Sequence, residues 1–165
     1  MGEMVVSSDP NEELVALGLG SCIGLAIIER TAGVAGLAHI VLPESNDRDR
    51  QVGKFADTAV PELIARMRKA GAFERRFETA IVGGARMFEM SGGLDIGARN
   101  EAAVRAELSK ARIPVTAAQT GGSSGRTVKI AVGELQVTVR VAGQPAETML
   151  EGRAPGAAAT AGAAR

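Results

Sequence analysis

The sequence has almost no aromatic residues: its 165 positions include four Phe and neither Trp nor Tyr. Proteins that bind single-stranded nucleic acids usually stack the bases on aromatic side chains, so this composition disfavours that class. Nineteen acidic residues balance nineteen basic ones, which leaves no net positive charge to attract a nucleic-acid backbone or an anionic membrane surface. We therefore expect no nucleic-acid partner, and a core built from aliphatic side chains.

Long apolar runs and cysteine pairs are also missing. No stretch approaches the roughly 20 apolar residues that a transmembrane helix needs. The N-terminal sequence MGEMVVSSDPNEE has no basic segment followed by an apolar run, the pattern found in signal peptides. With a single cysteine, no disulfide forms within the chain. These absences predict a cytoplasmic protein without membrane insertion.

The length and the patterning predict one folded domain. Residues 1–11 are expected to be a flexible N-terminus, residues 12–145 to form the domain, and residues 146–165, rich in Ala, Gly and Pro, to be a disordered tail. Within the domain, apolar runs predict three strands, a helix over 55–70, one strand, a helix over 95–112 and three more strands. This order is typical of an α/β or α+β sandwich, in which a mixed β-sheet packs against two main helices.

The only cysteine and the only histidine are the strongest candidates for chemistry. Cys22 lies in GLGSCIG, and His39 follows in LAHIVLP. A cysteine thiolate is a nucleophile that needs a base or a positive neighbour to form. An imidazole accepts and returns protons near neutral pH. Each residue also has a plain structural interpretation, Cys22 as an inert core residue and His39 as a hydrogen-bonded structural one.

The spacing of the two residues allows them to meet. If their strands form a hairpin with the two-residue loop TA (31–32), Cys22 faces Val41 and His39 lies on the same face as Cys22, one diagonal away. A three-residue loop would place them on opposite faces, and a bulge at Gly36 would change the count.

The glycines before Cys22 favour a reactive thiol. Around Gly20 and Ser21, the small side chains allow backbone N–H groups to approach a substrate carbonyl as an oxyanion hole. Metal binding is disfavoured, because one Cys and one His make only half a zinc site, and no cofactor is expected. GLGSCIG also imitates a dinucleotide-binding fingerprint, but that pattern opens a helix, whereas the IGLAII that overlaps its end is typical of a strand.

Asn100 is a polar residue on the apolar stripe of the second predicted helix, in line with Ile96, Val104 and Leu108. A buried amide needs hydrogen-bond partners. We expect Asn100 to brace a loop of the site; the alternative is a purely structural hydrogen bond to strand backbone.

Several blocks of the sequence resemble the CheD family, the chemoreceptor glutamine deamidases of bacterial and archaeal chemotaxis. The blocks occur in the family's order and are LGLGSCIGLAI (17–27), GLAHIVLPES (36–45), GGARMF (83–88), IGARN (96–100) and GGSSGRTVKIAVGELQV (121–137). The resemblance implies a single-domain, three-layer α/β sandwich that converts selected Gln side chains of methyl-accepting chemotaxis receptors to Glu. It also implies docking to a CheC-type phosphatase.

By the resemblance, Cys22 is the nucleophile and His39 the general base. The family usually has a Thr six residues before the Cys, which helps to orient the His; this chain has Ala16 there. Alanine offers no hydrogen bond, so two functions stay open: an amidohydrolase, or a catalytically weak binding module that engages a CheC-type phosphatase or a receptor. A thiol hydrolase of small amides is a third, and it would turn over free glutamine.

Overall fold

The computed structural model describes residues 1–46, 51–87 and 95–152. In this part of the chain the strands are β1 (Met4–Ser7), β2 (Glu13–Leu19), β3 (Ile23–Glu29), β4 (Val34–Ile40), β5 (Glu78–Gly83), β6 (Ala117–Thr120), β7 (Arg126–Ala131), β8 (Gln136–Val141) and β9 (Ala146–Leu150). The helices are α1 (Ala56–Lys69) and α2 (Ile96–Lys110), with short 3-10 turns at Val52–Lys54 and Glu74–Arg76.

The strands form two sheets. The first has the order β1-β4-β3-β5-β6, and the second has the order β2-β7-β8-β9. In the first sheet β5 and β6 run parallel, while the other neighbours run antiparallel, so this sheet is mixed. Its central strand, β3, begins directly after Cys22.

The helices cover one face of the first sheet, and the second sheet covers the other. Side chains alternate along a strand, so Leu25 and Ile27 of β3 pack in the cluster that contains the helices, while Ala26 and Ile28 pack in the cluster between the sheets. A strand buried on both faces reads as an unbroken apolar run, which explains IGLAII. The predicted α/β class is confirmed, with the layers in the order helices, mixed sheet, antiparallel sheet.

The folded part extends further in both directions than the sequence predicted. Residues 4–7, expected to be flexible, pair with β4 as β1, and residues 146–150, assigned to the tail, pair with β8 as β9. Both are short edge strands, and β9 buries only Leu150. Both strands are held by backbone hydrogen bonds to a neighbouring strand of the sheet. Local sequence patterns do not predict such pairing, because it depends on tertiary contacts.

Of the predicted tail at 146–165, residues 153–165 lie outside the described residues. Across the described ranges, neither helix combines the length and the apolar character required to cross a lipid bilayer.

Candidate active site

The β3–β4 hairpin brings Cys22 and His39 to the same end of the first sheet. The pairs Ile23↔Ile40 and Gly24↔His39, continued by one residue, place Cys22 opposite Val41. Of the alternatives left open by the sequence, this register is the one that the two-residue loop TA gives. Because alternate residues share a face, Cys22 and His39 are diagonal neighbours on the face that packs against the second sheet.

Burial acts on both side chains. Cys22 is 8% exposed, and burial raises the pKa of its thiol above the ordinary value. His39 is partly buried, and burial lowers the pKa of its imidazole. Both shifts favour a neutral thiol beside a neutral imidazole instead of an ion pair. The Nε2 atom of His39 is buried and has no hydrogen-bond partner among the described residues, so it is free to accept a proton.

The backbone before Cys22 is held by its carbonyl groups. The carbonyl of Gly20 accepts a hydrogen bond from the N–H of Ala85 (2.7 Å), and that of Ser21 accepts one from Nδ2 of Asn100 (2.9 Å). In a planar trans peptide the N–H points away from the carbonyl. Fixing these two carbonyls therefore fixes the directions of the N–H groups of Ser21 and Cys22.

In the loop around Gly20 and Ser21, where the sequence predicts an oxyanion hole, the N–H of Gly20 donates to the carbonyl of Gly18 (2.9 Å). The N–H groups of Ser21 and Cys22 are the remaining candidates in this loop, and the role of Gly20 is to present the carbonyl that Ala85 holds.

Asn100 reaches the site from α2 and is fully buried. Its Nδ2 donates to the carbonyls of Ser21 (2.9 Å) and Val41 (2.8 Å). One amide group thus joins the residue before Cys22 to the strand end that follows His39. Its Oδ1 atom has no partner within the described ranges.

The glycine turn that follows β5 packs directly on the backbone of Cys22. The N–H of Gly84 donates to the carbonyl of Cys22 (2.9 Å). Gly83 has a φ of +114°, and a Cβ atom there would overlap the carbonyl oxygen of Cys22. Only glycine allows this approach. This turn belongs to the block GGARMF, whose last residue, Phe88, lies outside the described residues.

A cavity of about 360 Å³ opens beside His39, between β1 and β2. Ala16 and the exposed Leu17 line it from β2, and Glu3 lines it from the segment that leads into β1. The N–H of His39 donates to the carbonyl of Glu3 (2.9 Å). Cys22 is not among the lining residues. In the described ranges, no three His, Cys, Asp or Glu side chains lie close enough together to hold a metal ion.

Known proteins are similar in sequence to this chain over most of its length. The family model for CheD, described as chemotactic sensory transduction, matches residues 41–141. The chemoreceptor glutamine deamidase CheD of Thermotoga maritima is 41% identical over 143 residues, which cover 87% of this chain and 90% of the relative. The chain belongs to the CheD family. Two further relatives, each named probable chemoreceptor glutamine deamidase CheD, are similar to a comparable extent. The one from Symbiobacterium thermophilum is 39% identical, over 87% of this chain and 91% of the relative. The one from Methanococcus vannielii is 40% identical, over 85% of this chain and 91% of the relative.

The CheD resemblance seen in the sequence is thereby confirmed, and the blocks that carried it converge in space. GGARMF packs on the carbonyl of Cys22, IGARN supplies Asn100, and the loop of GGSSGR contacts the segment that holds Gly20. The stretch matched by the CheD model begins after both Cys22 and His39.

Sequence reasoning missed two residues near this CheD site. Glu3 gave no local signal, because its place opposite His39 depends on the long-range pairing of β1 with β4. Arg126 did give a signal: in RTVKIAV it alternates with Val128 and Ile130, which puts a cation on the buried face of β7.

Proposed function

We propose that this protein is a protein-glutamine deamidase that converts selected Gln side chains of chemoreceptors to Glu. The observation that carries the proposal is the register of the β3–β4 hairpin, which sets the only thiol and the only imidazole side by side on one face. Membership of the CheD family and the names of the relatives support the same reaction and substrate class.

In the first half of the reaction, the Cys22 sulfur attacks the carboxamide carbon of the substrate Gln. Neutral His39 accepts the thiol proton as the bond forms, since burial disfavours a preformed thiolate. The N–H groups of Ser21 and Cys22 donate to the oxyanion of the tetrahedral intermediate. Protonated His39 then passes its proton to the nitrogen, the C–N bond breaks, ammonia leaves, and a thioester joins Cys22 to the substrate.

In the second half, His39 removes a proton from water as the water attacks the thioester carbon. The C–S bond breaks, the sulfur recovers its proton from His39, and the side chain leaves as Glu. The net reaction exchanges NH2 for OH and needs neither a metal nor a cofactor. We place it in the cytoplasm, where a free thiol stays reduced.

The direct test is mass spectrometry of a chemoreceptor cytoplasmic fragment after incubation with the protein. We expect the mass change of an NH2-for-OH exchange at specific glutamines, and none with Cys22→Ala or His39→Ala. Cys22→Ala removes little volume, so a melting temperature close to that of the unmodified chain will show that the fold is intact. Unchanged deamidation by both variants would rule out the mechanism.

A second function is favoured by one observation, Ala16 at the position of the family Thr. In this alternative the protein is a catalytically weak module that binds a receptor or a CheC-type phosphatase. Binding of purified CheC-type phosphatase by the unmodified chain and by Cys22→Ala, with no mass change in any of several receptors, would support it. Turnover of free glutamine without a receptor would instead indicate a small-amide hydrolase.

A further inference from the structure

Arg126 is a buried cation at the start of β7. It pairs with Leu19 of β2, close to the loop that leads to Cys22, and it is 9% exposed. Desolvation lowers the pKa of its guanidinium, and no carboxylate of the described residues forms an ion pair with it. Buried arginines are rarely left without a counterion, because the desolvation cost is not repaid. A contribution to folding stability alone therefore does not explain why an arginine occupies this buried position.

The guanidinium of Arg126 holds a turn. Its Nη1 donates to the carbonyls of Gly121 (2.7 Å) and Ser124 (3.3 Å), while its Nε is buried and has no partner among the described residues. One planar, permanently charged group thus ties together both ends of the turn 121–124, as the geometry of a guanidinium allows.

That turn is joined at two points to the segment after β5. The N–H of Gly121 donates to the carbonyl of Gly83 (2.9 Å), and the N–H of Arg86 donates to the carbonyl of Gly122 (2.8 Å). These bonds lie on either side of Gly84 and Ala85, so the turn fixes the part of the segment that faces the nucleophile.

The segment in turn fixes the backbone before Cys22. The N–H of Ala85 holds the carbonyl of Gly20 (2.7 Å), and the planar peptide then sets the direction of the Ser21 N–H. A continuous series of hydrogen bonds therefore runs from Arg126 to a candidate oxyanion donor. Asn100 fixes the other donor, the N–H of Cys22, by a separate route.

We propose that Arg126 is a positioning residue that keeps the Ser21 N–H directed at the oxyanion, acting through the 121–124 turn and the segment 83–86. This inference rests on the proposed deamidase function. In this proposal Arg126 acts without touching the substrate. Three successive contacts, from Arg126 to the turn, from the turn to the segment and from the segment to Gly20, fix the direction of the Ser21 N–H.

The test compares Arg126→Met with Arg140→Met, which removes an exposed arginine from the neighbouring strand β8. For Arg126→Met we expect a melting temperature equal to or above that of the unmodified chain, because a buried uncompensated charge is removed. We expect kcat for receptor deamidation to fall about 10- to 100-fold with KM changed less than about twofold, as for a misdirected oxyanion donor. Arg140→Met is expected to change neither constant.

Hydrogen exchange tests the same inference without a receptor, so it remains decisive even if no deamidation is observed. We expect the amides of residues 84–86 and 121 to exchange at least about tenfold faster in Arg126→Met, with the β7–β8 ladder unchanged. If Arg126→Met does not fold, Arg126→Lys, which keeps the charge but loses the planar fork, is measured in its place. Unchanged exchange at these amides, or kcat within twofold of the unmodified chain, would overturn the proposal.

Discussion

Burial shifts the proton affinities of Cys22 and His39 in opposite directions, and both shifts oppose charge separation. A thiolate–imidazolium pair needs a lowered thiol pKa and a raised imidazole pKa; burial produces the reverse of each. Both shifts favour neutral groups in the resting site, and in the mechanism proposed above the proton moves during the attack. The sequence identified this pair but carried no information on its ionisation, which depends on the packing of the second sheet against it.

This protonation state sets the pH dependence of kcat/KM. Acid protonates His39 and removes the base; since its pKa is lowered, we expect the acid limb to lie below about pH 6.5, the ordinary value for histidine. Base removes the Cys22 proton that ammonia must receive; since that pKa is raised, we expect the alkaline limb above about pH 8.5. Rates of receptor deamidation measured across both limbs will show a broad neutral plateau.

Alkylation of Cys22 by iodoacetamide as a function of pH reports the thiol pKa separately, and the single cysteine leaves no background. Half-maximal alkylation below about pH 8.5 would show that the thiol pKa is not raised, and half-maximal alkylation below about pH 7 would indicate a preformed thiolate.

Ala16 leaves the imidazole of His39 without the hydroxyl that the CheD resemblance leads one to expect. Ala16 and His39 line the same cavity, and Nε2 of His39 has no partner among the described residues. We expect Ala16→Thr to raise kcat for receptor deamidation several-fold, as restoring an orienting group does. Ala16→Val has a similar shape without a hydroxyl and is expected to give no gain. An equal gain in both variants would show that filling the cavity, and not a hydrogen bond, is responsible.

At the scale of elements, α2 acts on the site through the side chain of Asn100. Asn100 ties the carbonyls of Ser21 and Val41 together, so one helix sets the distance between the ends of β3 and β4. The helical stripe predicted that Asn100 points inward, because the 3.6-residue period places it with Val104 and Leu108. The carbonyls it binds were not predictable, since they belong to loops whose paths depend on tertiary contacts.

We expect Asn100→Leu to lower both stability and activity. Two partly buried carbonyls lose their donor, at a cost of up to about 1 kcal/mol each in the free energy of unfolding. The Cys22 N–H also loses its fixed direction, and kcat is expected to fall about 100-fold. Denaturant unfolding and deamidation rates, both measured well below the melting temperature, separate the two effects. Asn11→Leu, at an exposed position between β1 and β2, serves as the matched control. A loss of stability with kcat unchanged would restrict Asn100 to a structural role.

At the scale of the whole molecule, the sequence predicted the central elements well and the edges poorly. The strands β3, β4 and β5 are buried on both faces. A strand of this kind is a continuous apolar run in the sequence, so it can be predicted without knowing its partners. The edge strands β1 and β9 depend on partners far along the chain. The cavity beside His39 was missed for that reason: one of its walls is β1, which was expected to be flexible.

The position of β1 has a practical consequence for handling the protein. Met1 lines the cavity beside His39, so an affinity tag or fusion partner joined ahead of it would begin next to this cavity. At the other end of the described chain, β9 lies at the edge of the second sheet opposite β2, three strands or about 14 Å away. An inactive preparation tagged at the N-terminus therefore needs an untagged control before the loss of activity is assigned to the active site.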